Sequence, residues 1–282
     1  MSAPTAPQGD GLRPVVTRPS IGAYLRDTWK RRDFALAIAG GELRGQHMDS
    51  VLGNIWHVLN PLLLAGVYYL VFGVLVDVSR GVENFPAFIV IGVFVFHHSQ
   101  KTILTGSAAV VSNEGLIRSI QFPRAILPLS TVIGHSIAFL PAIAVMLVIV
   151  MATGEVPRWE WLLLAPILGA QVLFNLGAAF VVARLTDIFR DMQNVLPYLF
   201  RLLFYGSGVL YSPARFVDDE RYLILFDYNP FFTFVSLARG PLMAEKPILD
   251  LKLAAIAGVW TLVLIIGGFL FFRRGEDRYG RG

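Results

Sequence analysis

The sequence contains no cysteine and few charged residues. Without cysteine, the chain forms no disulfide bond and offers neither a thiolate metal ligand nor a thiol nucleophile. Charged residues make up only 16% of the 282 residues and hydrophobic residues 55%, whereas an ordinary soluble domain has about 25% charged and about 45–50% apolar residues. A chain this apolar cannot cover a surface that faces water, so we expect most of it to face membrane lipid. A soluble enzyme, a disordered scaffold and the usual kind of nucleic-acid-binding protein are thereby excluded.

A phosphate-binding loop is also absent from the sequence. None of the four lysines follows a glycine, so the motif GxxxxGK[ST], which cradles nucleotide phosphates, does not occur. If ATP drives this protein, ATP and Mg²⁺ bind to another subunit, and we expect neither a cofactor nor a metal in this chain. The adjacent histidines His97 and His98 leave this expectation unchanged, because no third ligand lies at a useful spacing.

The first 53 residues precede the strongly apolar part of the chain. Residues 1–20 are rich in proline, glycine and serine and lack the apolar core of a signal peptide, so they are predicted to form a disordered tail. Apolar residues then recur at helical spacing with basic residues between them (Ile21, Tyr24, Leu25, Trp29). This pattern predicts a cytoplasmic amphipathic interface helix within 21–53 that lies in the headgroup plane. The alternative interpretation is a basic juxtamembrane linker.

Six apolar stretches are long enough to cross a hydrocarbon core of about 30 Å, which requires about 20 helical residues. They lie at 54–76, 85–111, 125–152, 160–183, 192–211 and 251–272. Apart from Glu160 at the edge of the fourth, none contains Asp or Glu, which argues against a proton-coupled carrier. We predict an all-α integral membrane fold with six transmembrane helices in one domain, 54–272, and a cytoplasmic tail at 273–282.

The distribution of cations predicts the orientation of these helices. Of the 24 arginine and lysine residues, 15 lie in the two terminal segments and in the loops at 112–124 and 184–191, whereas seven lie in the intervening connections. Arginine and lysine are enriched on the cytoplasmic side of membrane proteins. Both termini and these two loops are therefore expected to be cytoplasmic.

Polar residues within the spans fall on single helix faces. The second span carries one such face (His98, Lys101, Thr102, Thr105), and the fifth carries another (Asn194, Tyr198, Arg201, Tyr205). Because a cation in lipid is costly, both faces are predicted to line a bundle interior or a water-filled cavity. Hydrogen bonding between helices is the alternative, and we favour it for Gln171 and Asn175 in the fourth span.

A shorter apolar segment precedes the last span. Asn229 and Pro230 form a helix-start signal, the residues from Phe231 to Ala238 are mostly apolar, and Gly240-Pro241 is predicted to end the helix. A helix of about ten residues is too short to cross the membrane. We therefore expect a re-entrant or interfacial helix, serving either as a gate at the exit or as an anchor.

Several motifs resemble those of ABC-2 type permeases that export polysaccharides. Residues 113–130, with the block Phe122-Pro123-Arg124, carry the most specific likeness, and further support comes from 50–62, 187–213, Asn229-Pro230 and Arg239. The resemblance extends over about 21–272 and is strongest to permeases that export O-antigen or cell-wall galactan. Two positions depart from the family pattern: Ser119 stands where a basic residue is common, and Thr186 where arginine is usual.

The resemblance implies a homodimer of six-helix subunits that binds two copies of a separate ABC ATPase at the cytoplasmic (inner) membrane. In this arrangement the 112–124 loop is the coupling helix that docks on the ATPase. The residues expected to couple the two proteins are Asn113, Glu114, Leu116, Ile117, Arg118, Phe122, Pro123 and Arg124. Asn113 is expected to cap this helix, Leu116, Ile117 and Ile120 to form its apolar face, and Pro123 to end it.

The implied function is ATP-driven export of a lipid-linked polysaccharide through a channel formed by this subunit. The expected substrate path comprises the two polar faces and the aromatic residues near the exit, namely His98, Lys101, Thr102, Thr105, Tyr198, Arg201, Tyr205, Tyr211, Phe231 and Phe232. Export of drugs or other hydrophobic small molecules on the same scaffold is the alternative. An integral-membrane transferase is a further alternative, for which Asp218, Asp219 and Glu220 form the external acidic cluster.

Overall fold

The computed structural model describes residues 20–45, 53–76, 82–215 and 219–279. Within these ranges the chain consists of helices, turns and irregular connections and has no β-strand, which confirms the all-α prediction. The predicted disordered tail, apart from Ser20, lies outside the described residues, and so does Asp218 of the external acidic cluster.

Two helices, rather than one, occupy the described part of the predicted interface segment. They are α1 (Ile21–Lys30) and α2 (Arg32–Gly45), and they meet at Arg31. The Ser20 hydroxyl accepts a hydrogen bond of 3.3 Å from the Ala23 amide and so caps the start of α1. Trp29 is 70% exposed whereas Tyr24 is buried, so α1 presents Trp29 outward. Residues 46–52 lie outside the described ranges.

In the described ranges, five helical segments are long and apolar enough to cross a membrane. They are α3 (Trp56–Tyr68, continued by π-helical turns to Leu75), α4 (Phe85–Ala108), α6 (Ile126–Ala152), α7 (Leu164–Ile188, preceded by a 3₁₀ segment from Trp159) and α11 (Leu251–Arg274). The shorter helices are α5 (Glu114–Ser119), α8 (Met192–Tyr205), α9 (Glu220–Asp227) and α10 (Pro230–Leu242).

The predicted span at 192–211 is shorter than expected. Its helix, α8, has 14 residues, which corresponds to about 21 Å at 1.5 Å per residue and is less than the hydrocarbon thickness of about 30 Å. The chain leaves the helix at Gly206 and turns at Gly208, whose φ of +57° favours glycine. Helix length therefore supports five complete spans in the described chain, and the fifth predicted span, 192–211, is a shorter helix followed by turns.

The short helices before the last span follow the sequence signals with one difference. The Asn229 side chain accepts a hydrogen bond of 3.0 Å from the Phe231 amide and caps α10 as predicted. However, α10 continues through Gly240-Pro241 to Leu242. A Cβ atom at Gly240 would lie 2.6 Å from the Ile248 carbonyl oxygen. The glycine therefore permits a close backbone approach and does not end the helix.

Helix α4 forms the centre of the bundle. It is buried along most of its length and packs against α3, α6, α7, α8 and α10. By contrast, the residues from Trp56 to Leu75 are exposed or partly buried in the single chain, apart from the buried Ala65. The described helices therefore pack around α4, with α3 at the periphery.

Helices α7 and α11 cross at unusually short range through two glycines. A Cβ atom at Gly177 would lie 2.4 Å from the Leu264 carbonyl carbon, and one at Gly268 would lie 2.4 Å from the Gly177 carbonyl oxygen. Small residues allow helix backbones in membranes to approach closely and so maximise van der Waals contact. This crossing fixes the last span against the fourth.

We expect Gly177→Val to separate α7 from α11. The new side chain meets backbone rather than a flexible side chain, so the free energy of unfolding should fall by about 3 kcal/mol or more. The thermal unfolding midpoint of the detergent-purified protein measures this change. Gly169→Val on the same helix is the matched control, because a Cβ atom there meets nothing within 4 Å. Equal midpoints for the two variants would contradict the role of the crossing.

Candidate functional site

The predicted coupling loop contains one short helix, α5, and an extended segment that follows it. Asn113 occupies the N-cap position, but its side-chain amide donates to the Ala109 carbonyl at 2.9 Å and leaves the α5 amides uncapped. The helix ends at Ser119, and Ile120 is already extended, so Pro123 does not end it as expected. The actual helix is thus shorter than predicted at its C-terminal end.

The apolar face expected on α5 is split between two directions. Ile117 is buried in a cluster with Val110 and Phe180, and Leu116 is partly buried against that cluster. Ile120 is 45% exposed, and Arg118 and Ser119 beside it are also exposed. The exposed residues from Arg118 to Ile120 are therefore available to a partner protein.

An ion-pair network joins the two loops that were predicted to be cytoplasmic. The Glu114 carboxylate lies 2.9 Å from the Arg190 guanidinium and 3.5 Å from that of Arg118. Glu114 thus links α5 to the connection between α7 and α8. Both arginines are largely exposed, and exposed pairs contribute little stability, so the network orients the loops more than it stabilises them.

The Phe-Pro-Arg block is fixed by α1 and the C-terminal tail. The Tyr24 hydroxyl donates to Glu276 Oε1 at 2.9 Å and accepts from the Ala125 amide at 3.1 Å. The Arg124 amide also donates to Glu276 Oε1, at 2.9 Å, and its guanidinium donates to the Glu276 carbonyl. We call this set of four residues, Tyr24, Arg124, Ala125 and Glu276, the Glu276 lock. It gives Arg124 a structural role that sequence reasoning did not identify.

Aromatic packing and burial reinforce the lock. Phe122 packs edge-on against Phe34 of α2, with ring centroids 5.4 Å apart. Burial, and then the nearby Glu276 charge, raise the pKa of Tyr24, so its hydroxyl stays protonated and remains a donor at neutral pH. Tyr279 is likewise buried and donates to the Phe272 carbonyl at 2.7 Å. Residues from three distant parts of the sequence therefore meet at one end of the bundle.

A polar cavity of about 170 Å³ lies between α3, α4 and α6. Of the predicted second-span face, His98, Lys101 and Thr102 line this cavity, whereas Thr105 does not. His57 from α3 and His135 from α6 also line it. Sequence reasoning missed both, because each is a single histidine on its helix and no spacing rule links them to α4.

The contacts inside this cavity hold its basic groups in place. Lys101 Nζ lies 2.8 Å from His57 Nδ1. The His98 ring stacks on Phe139 with centroids 4.3 Å apart and an interplanar angle of 6°. Three helices thus bring four histidines and one lysine to one cavity: His57, His97, His98, Lys101 and His135.

The predicted fifth-span face lies elsewhere, on the exposed side of α8. Tyr198, Arg201 and Tyr205 are all exposed in the single chain, and the Arg201 guanidinium lies 5.8 Å from the Tyr198 ring centroid. The opposite side of α8 packs inward through Phe200 and Phe204. The two polar faces therefore do not meet within one chain.

The expected aromatic exit lining is divided between core and surface. Phe231 is buried and packs against Phe96, Phe174 and Phe200, so it supports the core and does not form an open lining. Phe232 lines a second cavity, of about 280 Å³. Tyr211 is partly buried and donates to the Tyr205 carbonyl at 3.0 Å.

Arg239 is a buried residue of α10 whose guanidinium donates to backbone carbonyls. Its guanidinium donates to the carbonyls of Phe88, Gly208 and Val209 at 2.8–3.2 Å and lies 3.3 Å from the Phe88 ring centroid. A Cβ atom at Gly92 would lie 2.5 Å from an Arg239 nitrogen, so glycine makes room for it. Arg239 therefore joins α10, α4 and the turns after α8.

Interhelical hydrogen bonding explains one of the two polar residues assigned to it. The Gln171 amide donates to the Val95 carbonyl at 2.8 Å and to Ser99 Oγ at 2.7 Å, which confirms that Gln171 joins α7 to α4. Asn175 is equally buried, but neither side-chain amide atom has a hydrogen-bond partner among the described residues.

We expect Tyr24→Phe to loosen the Glu276 lock. The change leaves the buried Ala125 amide without its acceptor, at a cost of about 1–3 kcal/mol. Amide hydrogen exchange in α1 and in residues 273–279 should then be about tenfold faster or more. Tyr228→Phe is the control, because Tyr228 is exposed. Unchanged exchange in α1 would show that the lock does not hold this helix.

Comparison with known proteins places the chain in a family. Residues 36–243 match the ABC-2 type transporter family. The chain is 27% identical over 254 residues to the O-antigen export system permease protein RfbA of Myxococcus xanthus, covering 90% of this chain and 96% of that protein. It is 27% identical over 248 residues to the protein of the same name from Klebsiella pneumoniae, covering 88% of this chain and 93% of that protein.

A more distant relative has a related name. The chain is 24% identical over 246 residues to the polysialic acid transport protein KpsM of Escherichia coli, covering 84% of this chain and 91% of that protein. Since the family match spans most of the sequence, from α2 to the end of α10, this protein belongs to the ABC-2 type transporter family.

Proposed function

We propose that this chain is the channel-forming membrane subunit of an ATP-driven exporter of a lipid-linked polysaccharide. The observation that carries this proposal is the near full-length similarity to permeases named for O-antigen export and polysialic acid transport. The chain itself is not an enzyme in this proposal. ATP and Mg²⁺ bind to a separate ATPase subunit, because the sequence has no phosphate-binding loop.

The proposed orientation has both termini and α5 in the cytoplasm. The cation distribution supports it. In addition, the Glu276 lock brings α1, the α5 loop and the C-terminal tail to one end of the bundle. The predicted membrane is the cytoplasmic (inner) membrane. In this orientation Arg239 and the cavity beside Phe232 lie toward the outer face.

The proposed complex contains two copies of this chain and two copies of the ATPase. Two observations favour a second copy: many apolar residues of α3 are exposed in the single chain, and the polar face of α8 with Arg201 is exposed as well. A partner that covers these helices would enclose the α8 face in a path between subunits. Tyr198 and Tyr205 would then offer flat aromatic surfaces to the apolar faces of sugar rings.

Coupling to ATP hydrolysis would run through the exposed side of the α5 loop. A coupling element transmits force only if it contacts the two states of its partner differently. Arg118 and Ile120 are available for that contact. Glu114 connects the loop to the start of α8 through Arg190, and the Glu276 lock connects it to α1 and to the tail after α11. A displacement of the loop would thereby reach both ends of the chain.

The proposal is tested by deleting the gene and following a labelled sugar precursor to the cell surface. Labelled polymer should accumulate inside the cells, and a plasmid copy of the gene should restore its appearance outside. Susceptibility to hydrophobic drugs is measured in parallel. Surface polymer at the wild-type rate would end the proposal, and increased drug sensitivity with normal polymer would favour the small-molecule exporter.

A single substitution tests the docking surface on α5. Ile120→Asp places a charge in an exposed apolar position, and we expect co-purification of the ATPase to fall at least about tenfold, since burying an unpaired charge at an interface is costly. Val156→Asp is the control, because Val156 is also an exposed apolar residue and lies in the connection between α6 and α7, outside the α5 loop. Ile117→Asp is unsuitable, since Ile117 lies in the core. Normal ATPase recovery with Ile120→Asp would place docking elsewhere.

A further inference from the structure

The polar cavity between α3, α4 and α6 has a charge that its lining does not balance. Lys101, four histidines, Asn60 and Thr102 supply its polar groups, and no aspartate or glutamate lines it. The contact of Lys101 at 2.8 Å is to a histidine nitrogen, His57 Nδ1, which accepts without carrying negative charge. A cation at membrane depth is normally paired or placed against water. An anion from outside the described chain would therefore balance the Lys101 charge in this cavity.

Several donors in the cavity are positioned for such an anion. The Nε2 atoms of His97 and His98 and the Thr102 hydroxyl are buried and have no hydrogen-bond partner among the described residues. The His98 ring is held by its stack on Phe139, so its Nε2 has a fixed direction. A lysine and neutral imidazole N–H groups donate well to phosphate oxygens, and hydrogen bonds to an ionised acceptor are the strongest kind.

The arrangement suits an anion with several oxygens better than a metal ion. In the described part of the chain, no group of three histidine or carboxylate side chains is placed to hold a metal. The nitrogens instead line a cavity of about 170 Å³. A phosphate or pyrophosphate group presents oxygens in several directions and so uses donors spread around such a volume.

The position of the cavity points to an amphiphilic ligand. Leu64, Phe94 and Phe139 give it apolar walls beside the basic groups. Asn60 and Lys101 are exposed, so the cavity opens at the surface of the single chain. Along the α4 axis, Lys101 lies about 10 Å before the end of the helix at Ala108. This is the cytoplasmic end of α4 in the proposed orientation. A ligand with a phosphate between a polar and an apolar part fits this setting.

We propose that this cavity binds the phosphate or pyrophosphate group through which the exported saccharide is joined to its lipid. Lys101 supplies the charge, while His98 and Thr102 supply directed donors. The inference rests on the proposed function. It also goes further, because it assigns a binding site for one chemical group within the substrate. A phospholipid headgroup offers the same phosphate chemistry, and the experiment separates the two sources.

The experiment measures binding of radiolabelled farnesyl pyrophosphate to the exporter complex. The complete permease with its ATPase is reconstituted in nanodiscs of phosphatidylcholine, and binding is compared among variants. We expect Lys101→Ala to weaken binding at least about tenfold and Lys101→Arg, which keeps the charge, to stay within about threefold of the wild type. His98→Phe keeps the stack on Phe139 but removes the donor, so binding should weaken several-fold.

Controls separate lost binding from lost folding and from nonspecific charge effects. Arg158→Ala removes one cation outside the cavity, beyond the far end of α6, and should bind like the wild type. Thr102→Val preserves shape and should weaken binding, which keeps the test valid if Lys101→Ala fails to fold. Wild-type affinity in the Lys101→Ala and His98→Phe variants would overturn the proposal.

A second set of nanodiscs identifies the source of the phosphate. Replacing half of the phosphatidylcholine with phosphatidylglycerol should leave farnesyl pyrophosphate binding largely unchanged. If phosphatidylglycerol displaces the probe, the cavity is a phospholipid site and the proposal fails. The labelled-sugar chase is independent of this assay. If gene deletion abolishes export but the substitutions leave probe binding unchanged, only this inference is refuted. If export stays normal after gene deletion, the proposed function is refuted, whereas the binding result still holds.

Discussion

The hydrogen bonds from Arg239 to three backbone carbonyls fix the helix on which the rest of the bundle is built. Two of its nitrogens donate to the Phe88 carbonyl in the first turn of α4. Nη1 donates to the Gly208 carbonyl and Nη2 also donates to the Val209 carbonyl, both in the turns that follow α8. In a membrane, turns with free carbonyls are tolerated only where protein or water satisfies them. A single buried side chain thereby joins the turns after the short α8, the helix α10 and the central α4.

From its contact with Arg239, α4 runs through the bundle past the polar cavity to the α5 loop. Its middle supplies His98, Lys101 and Thr102 to the polar cavity, and its end leads within a few residues to α5. At the same end, Glu276 binds both Tyr24 and Arg124. In the proposed mechanism, movement at the α5 loop would be transmitted through a continuous helix as well as through side-chain contacts, and one end of that helix is restrained by Arg239.

The sequence was sufficient for those features that depend on local chemistry. Apolar length located the long helices, and Asn229 with Pro230 marked the start of α10, which the cap confirms. Features that depend on distant contacts were not predictable. The helix α8 ends early because Gly208 turns the chain. His57 and His135 join the α4 residues only through packing of three helices. No periodicity distinguishes the buried Ile117 from the exposed Ile120.

The two membrane-depth cations set different requirements for their surroundings. Lys101 sits at a cavity whose histidines and threonine provide polar contacts within one chain. Arg201 lies on an exposed face of α8, with its guanidinium 5.8 Å from the Tyr198 ring centroid. Placing an arginine at the centre of a lipid-facing helix costs about 2.5–3.5 kcal/mol or more. That cost is avoided if the α8 face borders water or a second subunit, so Arg201 favours a path formed between two copies, with the Lys101 cavity as a separate site within each.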